Sequence, residues 1–221
     1  MLSRALPLKL KFSFGATLGK HTGMPGPWVW PYKNVRHMPL SSTQIGAIGE
    51  NLLVNALMKA SDGRLSPFQP LADDDGIDVL FFDKETGNAV AIQLKCRTIA
   101  LYKPGTKERG NLVHFELRQT TFKEARRAYL VAALCDESLS GFEMTWFIPM
   151  SQIPVLARDI SGKWVIRASK AASSADRFAS YRCASAEELA CRIIAACEAH
   201  GPTPMPALTS EDKVPELGRA E

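Results

Sequence analysis

Four polar side chains interrupt apolar patterns where a core would take hydrocarbon: Glu50, Asp78, Gln93 and Lys95. Asp78 breaks the apolar run 77–82. Gln93 and Lys95 alternate with Leu94 and Cys96 in the run 89–98. Between the runs lies Lys84-Glu85-Thr86-Gly87-Asn88, which is turn chemistry, so the two runs predict a β-hairpin. A turn of that length sets Asp78 opposite residue 93 or 94. The Asp78 carboxylate, the Gln93 amide oxygen and the Lys95 ammonium then converge at one end of the hairpin. Oxygen donors of this kind suit a hard divalent cation such as Mg²⁺ or Mn²⁺, completed by backbone carbonyls, phosphate and water. A lysine beside that cation can orient or activate an attacking water and offset charge on a phosphorane.

The elements that must hold these groups are legible from period and punctuation. Ser41 and Gln44 have capping-box spacing, and apolar residues follow at Ile45, Ile48, Leu52, Leu53, Ala56, Leu57 and Ala60, with Gly63 as a stop. Glu50 sits at the edge of that helix's apolar face and can point into a site. Gly46 and Gly49 are poor helix formers, which predicts a close backbone contact at both. Residues 65–75 read as a loop or irregular strand ending in Asp73, Asp74 and Asp75. Further strands are expected at 112–117, 129–135, 144–148 and 163–166, short helices at 121–127 and 151–157, and a capped helix over 185–200. In the strand 89–98, Val90, Ile92, Leu94 and Cys96 share one face and Gln93, Lys95 and Arg97 the other. The order α-β-β-β-α-β-β-α predicts a mixed α/β or α+β domain.

At these residues, IGAIGE, then GIDVL, then AIQLK, the chain resembles the PD-(D/E)XK nuclease superfamily. It is most similar to the branch of bacterial Mrr-type restriction enzymes and archaeal Holliday-junction resolvases. The resemblance spans roughly residues 41 to 150. It implies a restriction-endonuclease-like core, a central mixed sheet flanked by helices, and a Mg²⁺- or Mn²⁺-dependent DNA endonuclease. By motif, Glu50 corresponds to the superfamily's helix glutamate, Asp78 to its strand aspartate and Lys95 to its lysine. Gln93 stands where Glu or Asp is usual, although certain homing endonucleases in the superfamily carry Gln there. That exchange removes one negative charge and should weaken metal binding. Asp78, Gln93 and Glu50 are the candidate metal ligands. Nucleases that cut both strands commonly dimerise, which makes a homodimer a candidate assembly.

Plainer readings stand beside each of these. Asp78 could cap a turn, Gln93 and Lys95 could be the solvated face of an amphipathic strand, and Glu50 could be a helix-surface charge. The three aspartates read as a solvated turn, with Asp75 the best auxiliary ligand among them. A second function class is therefore open: a catalytically inactive nucleic-acid-binding or protein-interaction module retaining the nuclease fold.

Charge points to where DNA would be held. Residues 95–127 hold nine Lys and Arg against three Glu. Arg97, Lys103, Lys107, Arg109 and Arg118 are the candidate phosphate contacts. Tyr102 could stack on a base, and the stretch 102–111 reads as a loop able to close over substrate. The alternative is a basic solvated surface. Whole-chain charge argues little. Residues 1–49 carry six of the 27 basic residues and none of the 23 acids, so the rest is slightly acidic.

Composition excludes several classes. Among 221 residues, 46% are hydrophobic and 23% charged, ordinary globular usage. No apolar run nears the ~18 residues of a membrane span. Five cysteines without a CxxC pair exclude a disulfide scaffold and a zinc ribbon, and fit a reduced, cytoplasmic compartment. The stretch around Gly15–Thr22 is not a phosphate loop, because Phe14 and His21 stand where Gly and Ser or Thr are required. The expected organisation is an irregular basic arm over 1–40, the nuclease-like domain over 41–200 and a flexible tail over 201–221.

Overall fold

A computed structural model describes residues 39–71, 76–121 and 127–199. Nearly all of the basic arm, the tail, the three aspartates at 73–75, most of the helix expected over 121–127, and Lys123 and Arg126 lie outside them.

Helix α1 (Ser42–Ala60) starts as its sequence requires. The Ser41 hydroxyl accepts the Gln44 N–H at 3.2 Å and the Gln44 side chain accepts the Ser41 N–H at 2.9 Å. It ends at Gly63, whose positive φ of 78° lets its N–H reach the Met58 carbonyl at 2.9 Å. The chain then lays down β1 (Leu65–Phe68), β2 (Val79–Asp83), β3 (Ala89–Arg97), β4 (Leu112–Arg118), β5 (Ala128–Cys135) and β6 (Phe142–Pro149). After a short helix α2 (Ile153–Leu156) come β7 (Arg158–Ile160), β8 (Lys163–Ser169), β9 (Arg182–Cys183) and helix α3 (Ala186–Ala199).

The fold is α+β. Six strands form one mixed sheet in the order β1-β2-β3-β5-β6-β9, and β3–β5 is its parallel pair. The remaining three strands form a second, antiparallel sheet, β4-β8-β7. The run 112–117 is thus a strand as expected, but in the second sheet. The irregular stretch after α1 contains β1, whereas β7 and β9 are too short to leave a periodic signal. The structure brings α1 and α3 onto one face of the large sheet, where Leu53, Leu57, Leu189 and Ile193 meet Phe81, Ile92, Leu94 and Val131. The small sheet covers the other face, where Phe115, Leu117 and Ile166 meet Leu130, Ala132, Leu134 and Trp146. Strand β5 is buried on both faces, which explains its unbroken apolar sequence. Among the described residues, no helix is long and apolar enough to cross a membrane.

The close contact expected of the α1 glycines exists at Gly49 and not at Gly46, which has nothing within 4 Å of a would-be Cβ. At Gly49 a Cβ would overlap the Cys96 Sγ and lie 3.3 Å from the Cys96 Cβ. Helix α1 therefore rests its backbone on β3. We expect Gly49→Ala to destabilise the fold by about 1–3 kcal/mol, the usual range for overpacking. Adding Cys96→Ala should recover part of that loss, because it removes the sulfur in the way. A double-mutant cycle by urea denaturation measures the recovery. Additive losses would mean that α1 does not seat on Cys96.

The turn end of the β2–β3 hairpin is clamped electrostatically. Asp83 is fully buried and accepts two bonds from Arg64, Nε to Oδ1 and Nη2 to Oδ2, both at 2.8 Å. Thr86 Oγ1 donates at 2.8 Å and the Glu85 N–H at 3.1 Å. Arg64 also pairs with Glu198 on α3 at 2.9 Å. Arg64, just before β1, thus ties the hairpin turn to α3, and Asp78 and Gln93 lie at the opposite, open end of the hairpin.

Candidate functional site

Strand β2 begins at Val79, opposite Ile92, while β3 runs on to Arg97 with β5 on its other side. Past Ile92 the β2-facing edge of β3 loses its strand partner. Asp78 fills that place. Its own N–H donates to the Ile92 carbonyl at 2.9 Å, and its Oδ2 accepts the Leu94 N–H at 2.5 Å. Asp78 is thereby tied to the backbone on both sides of Gln93, by its N–H at Ile92 and by its carboxylate at Leu94. Side-chain alternation puts Gln93, Lys95 and Arg97 on one face of β3, with Ala91 of that face packed against the second core. Gln93 is 5% exposed, and Asp78 and Lys95 are half-buried. A buried amide beside a tethered carboxylate is unlike the solvated face of an ordinary surface strand.

Glu50 follows Gly49, so the α1–β3 contact fixes its height along β3. The Cys96 thiol reports on both acids. Its pKa is pushed up by its bond to the Cys135 thiol and by burial, with smaller contributions from Cys135, Glu50 and Asp78 as charges. The pressure keeps Cys96 a neutral thiol, which is no ligand for a soft metal. Among the described residues no three His, Cys, Asp or Glu side chains are grouped to hold a metal. The candidate donors are the Asp78 carboxylate and the Gln93 amide oxygen on β2–β3, with Glu50 on α1, which packs on the Leu94 face of β3. Their all-oxygen chemistry fits a hard divalent cation, with less charge than an all-acid site.

The structure places the candidate phosphate contacts more variously. Arg97 is half-buried and donates through Nε to the His114 carbonyl at 2.9 Å and through Nη1 to the Cys96 carbonyl at 3.2 Å, tying β3 to β4. Lys103 pairs with Glu108 at 2.8 Å. Arg109 donates to the Ala100 carbonyl and lies 3.8 Å above the Tyr102 ring, occupying the face on which a base would stack. Lys107 and Arg118 are exposed. The stretch 102–111 is a hydrogen-bonded hairpin, with Lys103 N–H on the Glu108 carbonyl at 2.9 Å and Gly110 N–H on the Leu101 carbonyl at 2.7 Å. Of the acids in this region, Glu116 is drawn to a pKa of about 2 by Lys163 and then His114, whose side chains bond it at 2.7 and 3.0 Å.

A groove of about 380 Å³ lies elsewhere, between α1, β6 and α3, and none of the four candidate catalytic residues lines it. Sequence reasoning also missed a second cluster of basic side chains, Arg158, Arg167 and Arg177. Arg158 and Arg167 come together because β7 pairs with β8, and Arg177 is held beside them by its bond to the Leu156 carbonyl. Cys191 is exposed, while Cys197 is buried.

No protein-family model matches the chain, and no curated protein sequence matches it. Among solved structures, a bacterial homing endonuclease, I-Ssp6803I, is similar at a TM-score of 0.49 and 20% identity, over 72% of this chain and 96% of that one.

Proposed function

We propose that this chain is a divalent-metal-dependent DNA endonuclease of the PD-(D/E)XK type, hydrolysing phosphodiester bonds at the open end of the β2–β3 hairpin. One observation carries the reading: the Asp78 carboxylate, locked to the Leu94 N–H, stands against the strand segment that bears Gln93 and Lys95. Asp78 and Gln93 would hold Mg²⁺ or Mn²⁺, with Glu50 either a further ligand or a tuning charge. A cation there would polarise the phosphate and lower the pKa of a water. The bond to Leu94 fixes the Asp78 rotamer, so its carboxylate is aimed without reorganisation. Lys95 donates hydrogen bonds to the attacking water and to phosphate oxygens as charge develops on them. Buried Gln93 excludes water from the flank and contributes an oxygen without a charge.

The alternative is a binding module that retains the fold. The neutral Gln93 and the lack of a three-acid group among the described residues favour it. Cleavage assays over duplex, junction and single-stranded DNA with Mg²⁺ and Mn²⁺, paired with Mn²⁺ calorimetry, separate the two. The endonuclease reading expects Mn²⁺ binding and cleavage of at least one DNA form. No Mn²⁺ binding and no cleavage would leave the module. Gln93→Glu is expected to tighten Mn²⁺ binding by roughly tenfold, since one added charge near 4 Å contributes about 1 kcal/mol even in water-like surroundings and more when shielded. Unchanged affinity would remove residue 93 from the ligand set.

A further inference from the structure

We propose that the pocket formed by Arg158, Arg167 and Arg177 is a phosphate-binding subsite, holding a DNA backbone phosphate away from the scissile one. DNA as the source of that phosphate rests on the endonuclease reading; the binding of phosphate does not. The pocket has a volume of about 270 Å³, and three of its seven lining residues are arginines. No acidic side chain lines it. Its floor is apolar, with Val165 at 5% and Phe178 at 2% exposure, so a bound anion would meet the guanidinium groups beside a surface poor in water. Arg177 is already positioned, since its Nη1 donates to the Leu156 carbonyl at 2.9 Å, and a guanidinium has further N–H donors to offer a ligand. Arg158 and Arg167 are exposed, and strand pairing brings them together: Arg158 lies opposite Val165, two residues from Arg167 and on the same face of β8. Of the neighbouring acids, Asp159 alternates to the opposite face of β7, Asp176 accepts from Ser174 and the Phe178 N–H, and Glu116, opposite Val165, is paired with Lys163.

Strand β4 links the subsite to the candidate catalytic strand. Arg97, two residues after Lys95, donates to the His114 carbonyl, and His114 is the strand partner of Arg167. Arg167 lies between Ile166 and Ala168 of the second core, so it stands on the outer face of the small sheet, whereas Lys95 is on the β3 face turned toward that core. On that outer face its guanidinium is open to a phosphate. By contrast Lys103 spends its charge on Glu108, and Arg109 sits on Tyr102. Guanidinium groups suit phosphate through their planar fork of donors.

The test uses the full chain and the double variant Arg158→Gln/Arg167→Gln, leaving Arg177 because it supports the Leu156 backbone. Inorganic phosphate is titrated first, following arginine Nε–H signals by NMR. Fluorescence anisotropy then follows a labelled duplex with chelator present, from 50 to 200 mM salt. We expect phosphate to shift arginine signals in the wild type only. The double variant should lower the log–log salt slope by about 2, one unit per lost phosphate contact. It should leave Mn²⁺ affinity at Asp78 unchanged. The variant Arg158→Lys/Arg167→Lys should keep the slope, because charge is retained. A wild type silent to phosphate, with unaltered slope in the Gln variant, overturns the subsite. A phosphate response lost in the Gln variant without any change of slope overturns DNA as the source and leaves free phosphate. Displacement of the duplex by oligo-glutamate as readily as by phosphate overturns nucleic acid in favour of an acidic protein. If the pocket behaves as expected while the chain binds no Mn²⁺ and cuts nothing, the subsite stands and the endonuclease reading fails.

Discussion

Lys95→Ala is expected to lower the single-turnover rate of DNA cleavage by about a hundred- to a thousandfold while leaving DNA affinity within a few-fold of wild type. The rate loss is the size found when one donor aimed at developing charge is removed. The affinity is spared because Lys95 is one cation among nine between residues 95 and 127. Lys95 makes a cleaner test than Asp78. Asp78→Ala should also abolish cleavage, but it strips the acceptor from the Leu94 N–H as well. An orphaned backbone donor costs about 1–3 kcal/mol, so a dead Asp78 variant could owe its loss to a loosened hairpin. Among the described residues, no side-chain bond from Lys95 supports the β3 ladder. The measurement is a single-turnover time course at saturating protein, beside anisotropy on the same DNA. A Lys95→Ala protein that cuts at the wild-type rate would remove Lys95 from the chemistry.

What was legible in the sequence follows from what has a local signal. Helix α1 announced itself through Ser41, Gln44 and a 3.6-residue stripe, and the hairpin through Gly87 and its flanking alternation. The juxtaposition of Asp78 with Gln93 followed from counting back from the turn, because antiparallel register is arithmetic once the turn is known. What was not legible depended on long-range pairing. Nothing local distinguishes β4 as the partner of β8, fifty residues on, rather than a member of the large sheet. The same is true of Arg64 and Asp83, which look like loop charges until strand β1 brings them together. The basic loop illustrates the opposite failure. Its composition was plain, but composition does not say that Glu108 and the Tyr102 ring already occupy Lys103 and Arg109.

The Arg64–Asp83 clamp should set how the fold responds to acid. Asp83 has no solvent exposure, and the two bonds from Arg64, with help from Thr86 and the Glu85 N–H, hold its carboxyl well below the ordinary carboxylate range. In the unfolded chain the same group returns to about 3.9. A carboxyl whose folded pKa is depressed binds its proton more readily when unfolded. Its contribution to stability is therefore complete above about pH 5 and is lost progressively as pH falls through 3.9 toward the folded value. Asp83→Asn keeps the shape and removes the charge, and is expected to cost about 3 kcal/mol at pH 7, the low end for breaking a buried pair. Arg64 retains Glu85 and Glu198, which is why the low end applies. The difference in unfolding free energy between wild type and Asp83→Asn, measured by urea denaturation, should be flat from pH 7 to 5 and shrink steadily below that. Glu116, also depressed, leaves both proteins with some acid sensitivity, so it cancels from the difference. A difference that stays constant down to pH 3 would mean that Asp83 contributes through its hydrogen bonds alone, and that the clamp at the turn end of the hairpin is not an ion pair.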